Sequence, residues 1–164
     1  MHGLVAANAP DSNPNLSWRG ENGIDFLVNS TGNGIGAGKM NTSIIVSAQS
    51  AVAQGGGTPL SNMAAQVCVA YAVQADGQTA CNTGTAAGDN CYGDWYLPSL
   101  YELNQMFLQD SLLHMSTNTV SSFMWSSTEY NETDAWRINV TQSAPNAFNV
   151  GKDDKNGAWC IRSF

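Results

Sequence analysis

Four cysteines, with no Cys-x-x-Cys spacing among them, constrain the fold of this chain more than any other feature. They are Cys68, Cys81, Cys91 and Cys160. Zinc sites are built from closely spaced cysteines and histidines, and this sequence has only two histidines. An even number of cysteines in a loop-rich chain with few charges is typical of a disulfide framework. The sequence therefore predicts two disulfide bonds rather than a zinc site.

Four cysteines allow three pairings, and the loop positions favour one of them. Cys81 and Cys91 bracket a single segment rich in Gly, Asn and Thr, so we expect them to pair. That pairing leaves Cys68 with Cys160, which closes most of the chain. A loop of that length stabilises the folded state by roughly 4–5 kcal/mol in the chain-entropy model.

Length and charge exclude several classes of protein. The 164 residues suit one domain with a sizeable core, spanning 1–164. Thirteen acidic residues stand against six basic ones, a formal charge of −7, which disfavours nucleic acid as a partner. No apolar run approaches the roughly 18 residues that cross a membrane, so we expect no membrane insertion. The chain opens directly on residues 4–7, a predicted strand, so we expect a C-terminal domain excised from a longer exported chain.

Helical signals come first along the chain. Residues 44–54 predict a helix that ends at the glycines 55–57, and Ser61 or Asn62 can cap a second helix that carries Cys68. Ser99 and Glu102 form a Ser-x-x-Glu capping box, and apolar residues then recur at helical spacing. His114 follows two leucines, where capping a helix C-terminus is its expected role.

Strand signals follow in the second half. Residues 4–7, 123–127 and 135–141 predict strands, and the last alternates cleanly between two faces. Residues 147–150 and 158–163 flank 151–157, which we expect to be the turn of a hairpin. Helices followed by an antiparallel meander predict an α+β fold.

The sequence does not complete either of two functional motifs, a phosphate-binding loop and a nucleophilic catalytic site. Residues 34–40 resemble a phosphate-binding loop, but Asn33 and Met40 stand where that motif needs Gly and Ser or Thr, so we expect a surface loop. No catalytic triad is assembled. With every cysteine oxidised no thiolate is left for catalysis, so we expect no enzyme.

An acidic loop is the candidate for a metal site. Glu129, Asn131, Glu132 and Asp134 lie close together in sequence and offer the oxygen ligands that Ca²⁺ takes. A solvated acidic turn is the simpler interpretation, so we expect no resident cofactor and keep Ca²⁺ as the alternative.

The few cations are the candidate ligand-binding residues. Lys152 and Lys155 lie in the predicted hairpin turn, and we expect Arg137 on the outward face of a nearby strand. Together they predict a basic patch for sulfate or carboxylate groups, with Arg19 and Lys39 next in line. Arg162, in the last strand, is a further base that the fold can bring to such a patch.

Tryptophans offer a second kind of binding surface. There are five, and an indole face can stack on a sugar ring, although core packing is the commoner use. Alternation favours the core for Trp125 and Trp136. Trp18 follows no core pattern, which favours an exposed position.

Several blocks of sequence form a pattern that extends over nearly the whole chain. The most specific are Trp-Tyr-Leu-Pro-Ser and Trp-Ser-Ser. The full set is residues 2–7, 35–39, 64–68, 94–99 with Glu102 and Leu103, 125–129, 135–136 and 160–162. In these blocks and their order, the chain resembles the C-terminal domain of the Legionella collagen-like protein and its bacterial relatives.

The resemblance implies a C-type-lectin-like fold, with Cys68–Cys160 as its bridge from helix to last strand. It also implies a homotrimeric adhesin behind a collagen-like stalk, secreted or on the bacterial cell surface. The implied partners are sulfated glycosaminoglycans or other host-cell surface polysaccharide. One alternative is a structural cap that nucleates the collagen-like stalk without a ligand of its own. Another is an enzyme of the formylglycine-generating type, which shares the architecture and needs reactive thiols.

Overall fold

A computed structural model describes residues 3–21, 23–52, 62–81 and 90–164. The predicted helix end at 55–57 and the predicted cap Ser61 lie outside these ranges. The described elements are β1 (Leu4–Ala6), α1 (Ala37–Val52), α2 (Ala64–Ala70), α3 (Leu100–Phe107), α4 (Asp110–Leu113), β2 (Phe123–Glu129), β3 (Asp134–Asn139), β4 (Asn146–Gly151) and β5 (Ile161–Ser163).

Two small antiparallel sheets carry the strands, so the predicted α+β class is confirmed. In one sheet the order is β2-β3-β4, and in the other β1 pairs with β5. The terminal strands are therefore neighbours, with Val5 opposite Arg162. Tyr96, just before α3, bridges to Ile161 on β5. This bridge fixes the segment before α3 beside the last strand.

The hairpin predicted over 147–163 is wrong. β4 pairs with β3, and β5 pairs with β1 instead. Between them, residues 156–160 are all buried, and Asn156 exchanges backbone hydrogen bonds with Leu16. Residues 153–155 are exposed as expected of a turn, but 156–157 are buried and the following residues, predicted to pair with β4, enter the core instead.

Helix α3 begins as its capping box predicts. The Ser99 hydroxyl accepts a hydrogen bond from the Glu102 amide, and the Glu102 carboxylate accepts one from the Ser99 amide at 2.9 Å. His114 occupies the C-cap of α4 in the left-handed conformation, φ 54°, in agreement with its predicted position. Burial raises the pKa of Tyr96. The negative charge of Glu102 raises it further, and the Glu102 carboxylate accepts a hydrogen bond from the Tyr96 hydroxyl.

Helix α1 begins at Ala37, seven residues before its predicted start, so the expected surface loop over 34–40 is wrong in its second half. The cause is again Glu102, which accepts hydrogen bonds from Gly36 N at 2.8 Å and Gly38 N at 3.1 Å. A carboxylate at a helix N-terminus is favoured by the helix dipole. A Cβ on Gly38 would lie 2.7 Å from Ser99 N, so glycine permits this close approach.

The core is rich in tryptophan. Trp125 is buried as predicted, whereas Trp136 is half-buried with its ring edge-on to Tyr130. Trp18 is also fully buried, contrary to expectation, and its indole N–H donates to Ser126 O at 3.0 Å. The pattern around Trp18 misled because its neighbours lie in irregular backbone, where alternation carries no signal.

Lys152 and Glu129 form a buried ion pair, which contradicts the prediction that Lys152 is exposed at a turn. Both side chains have no solvent-accessible surface, and Nζ lies 2.6 Å from Glu129 Oε1. Nζ also donates to Phe26 O and Glu132 O, each at 2.8 Å. Glu129 accepts the Val28 and Asn29 amides at 2.8 and 2.7 Å. Every donor of the ammonium group is used, which is the condition for burying a charge.

Both predicted disulfides are present. Cys68 on α2 joins Cys160 just before β5, with both cysteines buried, and Cys81 joins Cys91 on the surface. The first bridge spans 92 residues and ties α2 to the β1–β5 sheet. No helix in the described ranges has the length and apolar character needed to cross a membrane.

Replacing Lys152 with Met should lower the free energy of unfolding by about 3–5 kcal/mol, because it leaves the Glu129 carboxylate buried without its partner. Lys155→Met is the matched control, and we expect it to change stability by less than about 0.5 kcal/mol. Combining Lys152→Met with Glu129→Gln should cost less than the sum of the two single changes. Urea denaturation of the wild type and the four variants, Glu129→Gln alone included, measures these effects, and equal values for the two Met variants would contradict the ion-pair account.

Mild reduction should open Cys81–Cys91 before Cys68–Cys160. Thiol–disulfide exchange needs access to sulfur, and of the two bridges only Cys81–Cys91 has an exposed cysteine, Cys91. Alkylating the protein at increasing dithiothreitol concentration, followed by peptide mass spectrometry, gives the order. Simultaneous opening of both bridges in folded protein would contradict this expectation.

Candidate functional site

Three of the six cations of the chain serve its own structure. Lys152 is buried in its ion pair. Arg19 lies 3.0 Å from Asp25 and 3.6 Å from Asp153. Arg137 is half-buried rather than outward-facing, with its guanidinium 3.9 Å from the Phe123 ring centroid and Nη1 donating to Asn156 Oδ1 at 2.6 Å. Burial lowers the pKa of Arg137, with nearby Asp154 acting in the opposite direction.

The predicted basic patch therefore does not form. Of its three members only Lys155 is exposed, and its Nζ lies 4.0 Å from a Glu21 carboxylate oxygen. Lys152 cannot touch a ligand because its ammonium has no accessible surface. Arg19, a second-rank candidate, is neutralised by two aspartates.

Lys39 and Arg162 are the two cations that no described carboxylate neutralises. Within the described ranges, neither has a carboxylate within 4.0 Å or a side-chain hydrogen bond. Lys39 is exposed in the first turn of α1, and Arg162 is half-buried on β5. Unpaired cations at the surface are the groups free to bind an anion.

These two cations border two hollows that share Trp95. Arg162 lines a hollow of about 360 Å³ together with Trp95 and Tyr92. Lys39 lines one of about 190 Å³ with Trp95 and Asp94. We call this surface the Trp95 face and define it by Lys39, Tyr92, Asp94, Trp95 and Arg162. It brings together one residue of the predicted ligand-binding set, Lys39, with four outside it.

Local pairings build the Trp95 face. Tyr92 follows the Cys81–Cys91 bridge, and its backbone exchanges hydrogen bonds with Val73 at 2.8 and 3.2 Å. The indole of Trp95 donates to Tyr92 O at 2.9 Å and packs edge-on to Tyr71. The guanidinium of Arg162 lies 5.2 Å from the Tyr92 ring centroid. Disulfide, aromatic contacts and strand pairing thus hold the face together.

Polar groups complete the rim of the larger hollow. Asn8, Gln74 and Asp76 lie there. A hydrogen bond from the Thr79 hydroxyl, supported by the Gln78 and Thr79 amides, lowers the pKa of Asp76. This carboxylate is therefore charged at neutral pH and accepts hydrogen bonds.

Oxygens of the acidic loop, the alternative candidate for Ca²⁺, are engaged within the protein. Glu129 is committed to Lys152 and two amides. Asn131 Oδ1 accepts the Thr133 and Asp134 amides at 2.8 and 2.7 Å, and Asp134 Oδ2 accepts the Asn131 side-chain amide at 3.4 Å. Among the described residues, no three His, Cys, Asp or Glu side chains are grouped to hold a metal ion. The side-chain oxygens of Asn131 and Asp134 therefore accept hydrogen bonds that stabilise the turn at 131–134.

No protein-family model matches this chain, and neither does any curated protein. The resemblance to the collagen-like adhesin domain therefore remains a prediction, as does the C-type-lectin-like fold that it implies.

Sequence reasoning missed Tyr92 and Trp95 as site residues and ranked Arg162 too low. A signal was present for Tyr92, because it directly follows a cysteine expected in a disulfide, and Trp95 lies three residues further along the chain. The juxtaposition with Arg162 had no such signal, since it depends on the pairing of Tyr96 with Ile161, 65 residues later in the chain.

Proposed function

We propose that this chain is the ligand-binding domain of an exported adhesin and holds a sulfated polysaccharide on the Trp95 face. The observation that carries the proposal is that Lys39 and Arg162, the two cations without partners in the described chain, border hollows sharing one tryptophan. The two disulfides favour an oxidising compartment such as the cell exterior.

A polysaccharide suits this face better than a small globular ligand. Trp95 is buried beside both hollows, whereas the exposed ring of Tyr92 and the exposed side chain of Val5 line the larger one and suit the C–H face of a sugar ring. Asn8, Gln74 and Asp76 offer donors and acceptors for hydroxyl groups. A chain of sugars can cross from one hollow to the next over Trp95 and bring an anionic group to each cation.

Trimerisation supports the proposal energetically. Two cations on a chain of net charge −7 hold a polyanion weakly, and three copies on one polymer gain through effective concentration. Among the described residues, a surface without exposed charged side chains is available for self-association, formed by Ile35 and Leu112 around the strand residue Leu4 and by Phe164 beside Gly3. Copies that carry like charges approach each other best where charges are absent. That same surface is what favours the alternative, a structural cap without a ligand.

Changing Lys39 and Arg162 together to Ala should weaken heparin binding by at least about tenfold, since each removes a charge-assisted contact. Lys155→Ala is the matched control, with an exposed lysine outside the face, and should bind nearly as the wild type does. Binding should also weaken with salt, because exposed charges are screened within about 8–10 Å at physiological ionic strength. Titration by calorimetry at two salt concentrations measures both effects.

Two outcomes of that titration would contradict the proposal. Equal losses in the double variant and in Lys155→Ala would place the site elsewhere. No heparin binding by the wild type at low salt would favour the structural cap.

Light scattering should give three times the mass of one chain for the wild type at micromolar concentration. Leu112→Asp should shift the protein toward monomer, because it places a charge in the uncharged surface. Leu108→Asp is the control, since Leu108 is similarly exposed but lies outside the hollows around Leu4. A monomeric wild type would contradict the trimer.

A further inference from the structure

We infer that the hollow beside Arg162 is a subsite for a carboxylated sugar, a hexuronate, in which the carboxylate pairs with the guanidinium. The inference rests on the proposed function and names the sugar that this part of the face takes. It follows from the shape of the cation, the walls of the hollow and the charge on its rim.

The cation at this subsite is a planar fork rather than a point charge. Arg162 Nε is buried without an acceptor in the described chain, which leaves the two terminal nitrogens as donors for a ligand. Two parallel N–H groups match the two oxygens of a carboxylate. The guanidinium lies 5.2 Å from the Tyr92 ring centroid, and Arg162 stands opposite Val5 in the pairing of β5 with β1.

The walls accept the body of one sugar ring. Val5, Val73 and Trp95 give the hollow its apolar lining, and its volume of about 360 Å³ falls at the low end of the roughly 300–1,000 Å³ typical of small-molecule sites. A ring whose C–H face meets these side chains directs its substituents toward the rim. A single ring therefore fits, with the polymer leaving toward Lys39.

The rim selects a ring that carries only one anionic group. Asp76 is negatively charged there, since the Thr79 hydroxyl lowers its pKa, and it repels a second anion on the same ring while accepting hydrogen bonds from hydroxyls. Asn8 and Gln74 add neutral donors and acceptors. A sulfate ester has three terminal oxygens, and Arg162 is the only cation among the described residues that line the hollow. A two-oxygen carboxylate uses this arrangement more completely.

Two polymers separate carboxylate recognition from general attraction to polyanions. Polygalacturonate carries carboxylates and no sulfate, dextran sulfate carries sulfates and no carboxylates, and neutral dextran is the blank. Wild-type protein should bind both anionic polymers. Arg162→Lys keeps the positive charge and removes the fork, so it should lose about tenfold in affinity for polygalacturonate and change less than about twofold toward dextran sulfate.

Matched variants keep the result interpretable. Lys39→Ala should weaken the binding of both polymers by the same factor. Each variant should keep the thermal unfolding midpoint of the wild type. If Arg162→Lys does not fold, Gln74→Ala at the rim should weaken polygalacturonate binding selectively. Equal losses for both polymers in Arg162→Lys, or wild-type binding of dextran sulfate alone, would overturn the uronate subsite and leave the proposed function standing. Binding of neither polymer by the wild type would overturn both.

Discussion

The ion pair between Lys152 and Glu129 is the interaction on which the irregular half of this fold depends. An ammonium and a carboxylate removed from water need full hydrogen bonding, or the desolvation penalty exceeds their attraction. The chain meets that need by bringing three segments to the pair: residues 26–29, residue 132 and the end of β4. The backbone carbonyl of Lys152 also accepts the Trp18 and Arg19 amides. Loops without regular structure are thus ordered by one charged contact.

In the helical half of the fold, Glu102 is the buried carboxylate that joins separate segments. Backbone amides, rather than a cation, are its main partners. Its carboxylate accepts hydrogen bonds from residues 36, 38 and 99 and from the Tyr96 hydroxyl. It thereby joins the start of α1, which carries Lys39, to the segment that carries Trp95. The Trp95 face is consequently assembled by the same contact that starts two helices. Because Lys152, Arg19 and Arg137 are used inside the fold, three cations remain, and two of them, Lys39 and Arg162, lie on this face.

Features that depend on near neighbours could be predicted from the sequence, and features that depend on distant ones could not. The capping box of α3 needs only Ser99 and Glu102, and the Cys81–Cys91 bridge closes a short loop. By contrast, the start of α1 depends on a carboxylate 64 residues away, and the burial of Lys152 depends on one 23 residues away. The glycine, aspartate and lysine residues at 151–155 carry turn signals that are locally valid, but the core requirement of 156–160 overrides them. At the site, Lys39 was predicted, whereas its grouping with Arg162 arises from long-range strand pairing.

The burial of Lys152 also decides how the protein can be attached to a surface or a dye. Amine-directed coupling through lysine can use only Lys39 and Lys155, since the third ammonium has no accessible surface. Attachment through Lys39 covers part of the Trp95 face, whereas attachment through Lys155 leaves it open. Protein immobilised through its lysine side chains is therefore a mixture of two orientations with different access to that face. Replacing Lys39 with Arg keeps its charge and leaves Lys155 as the single reactive lysine, which turns that mixture into one orientation.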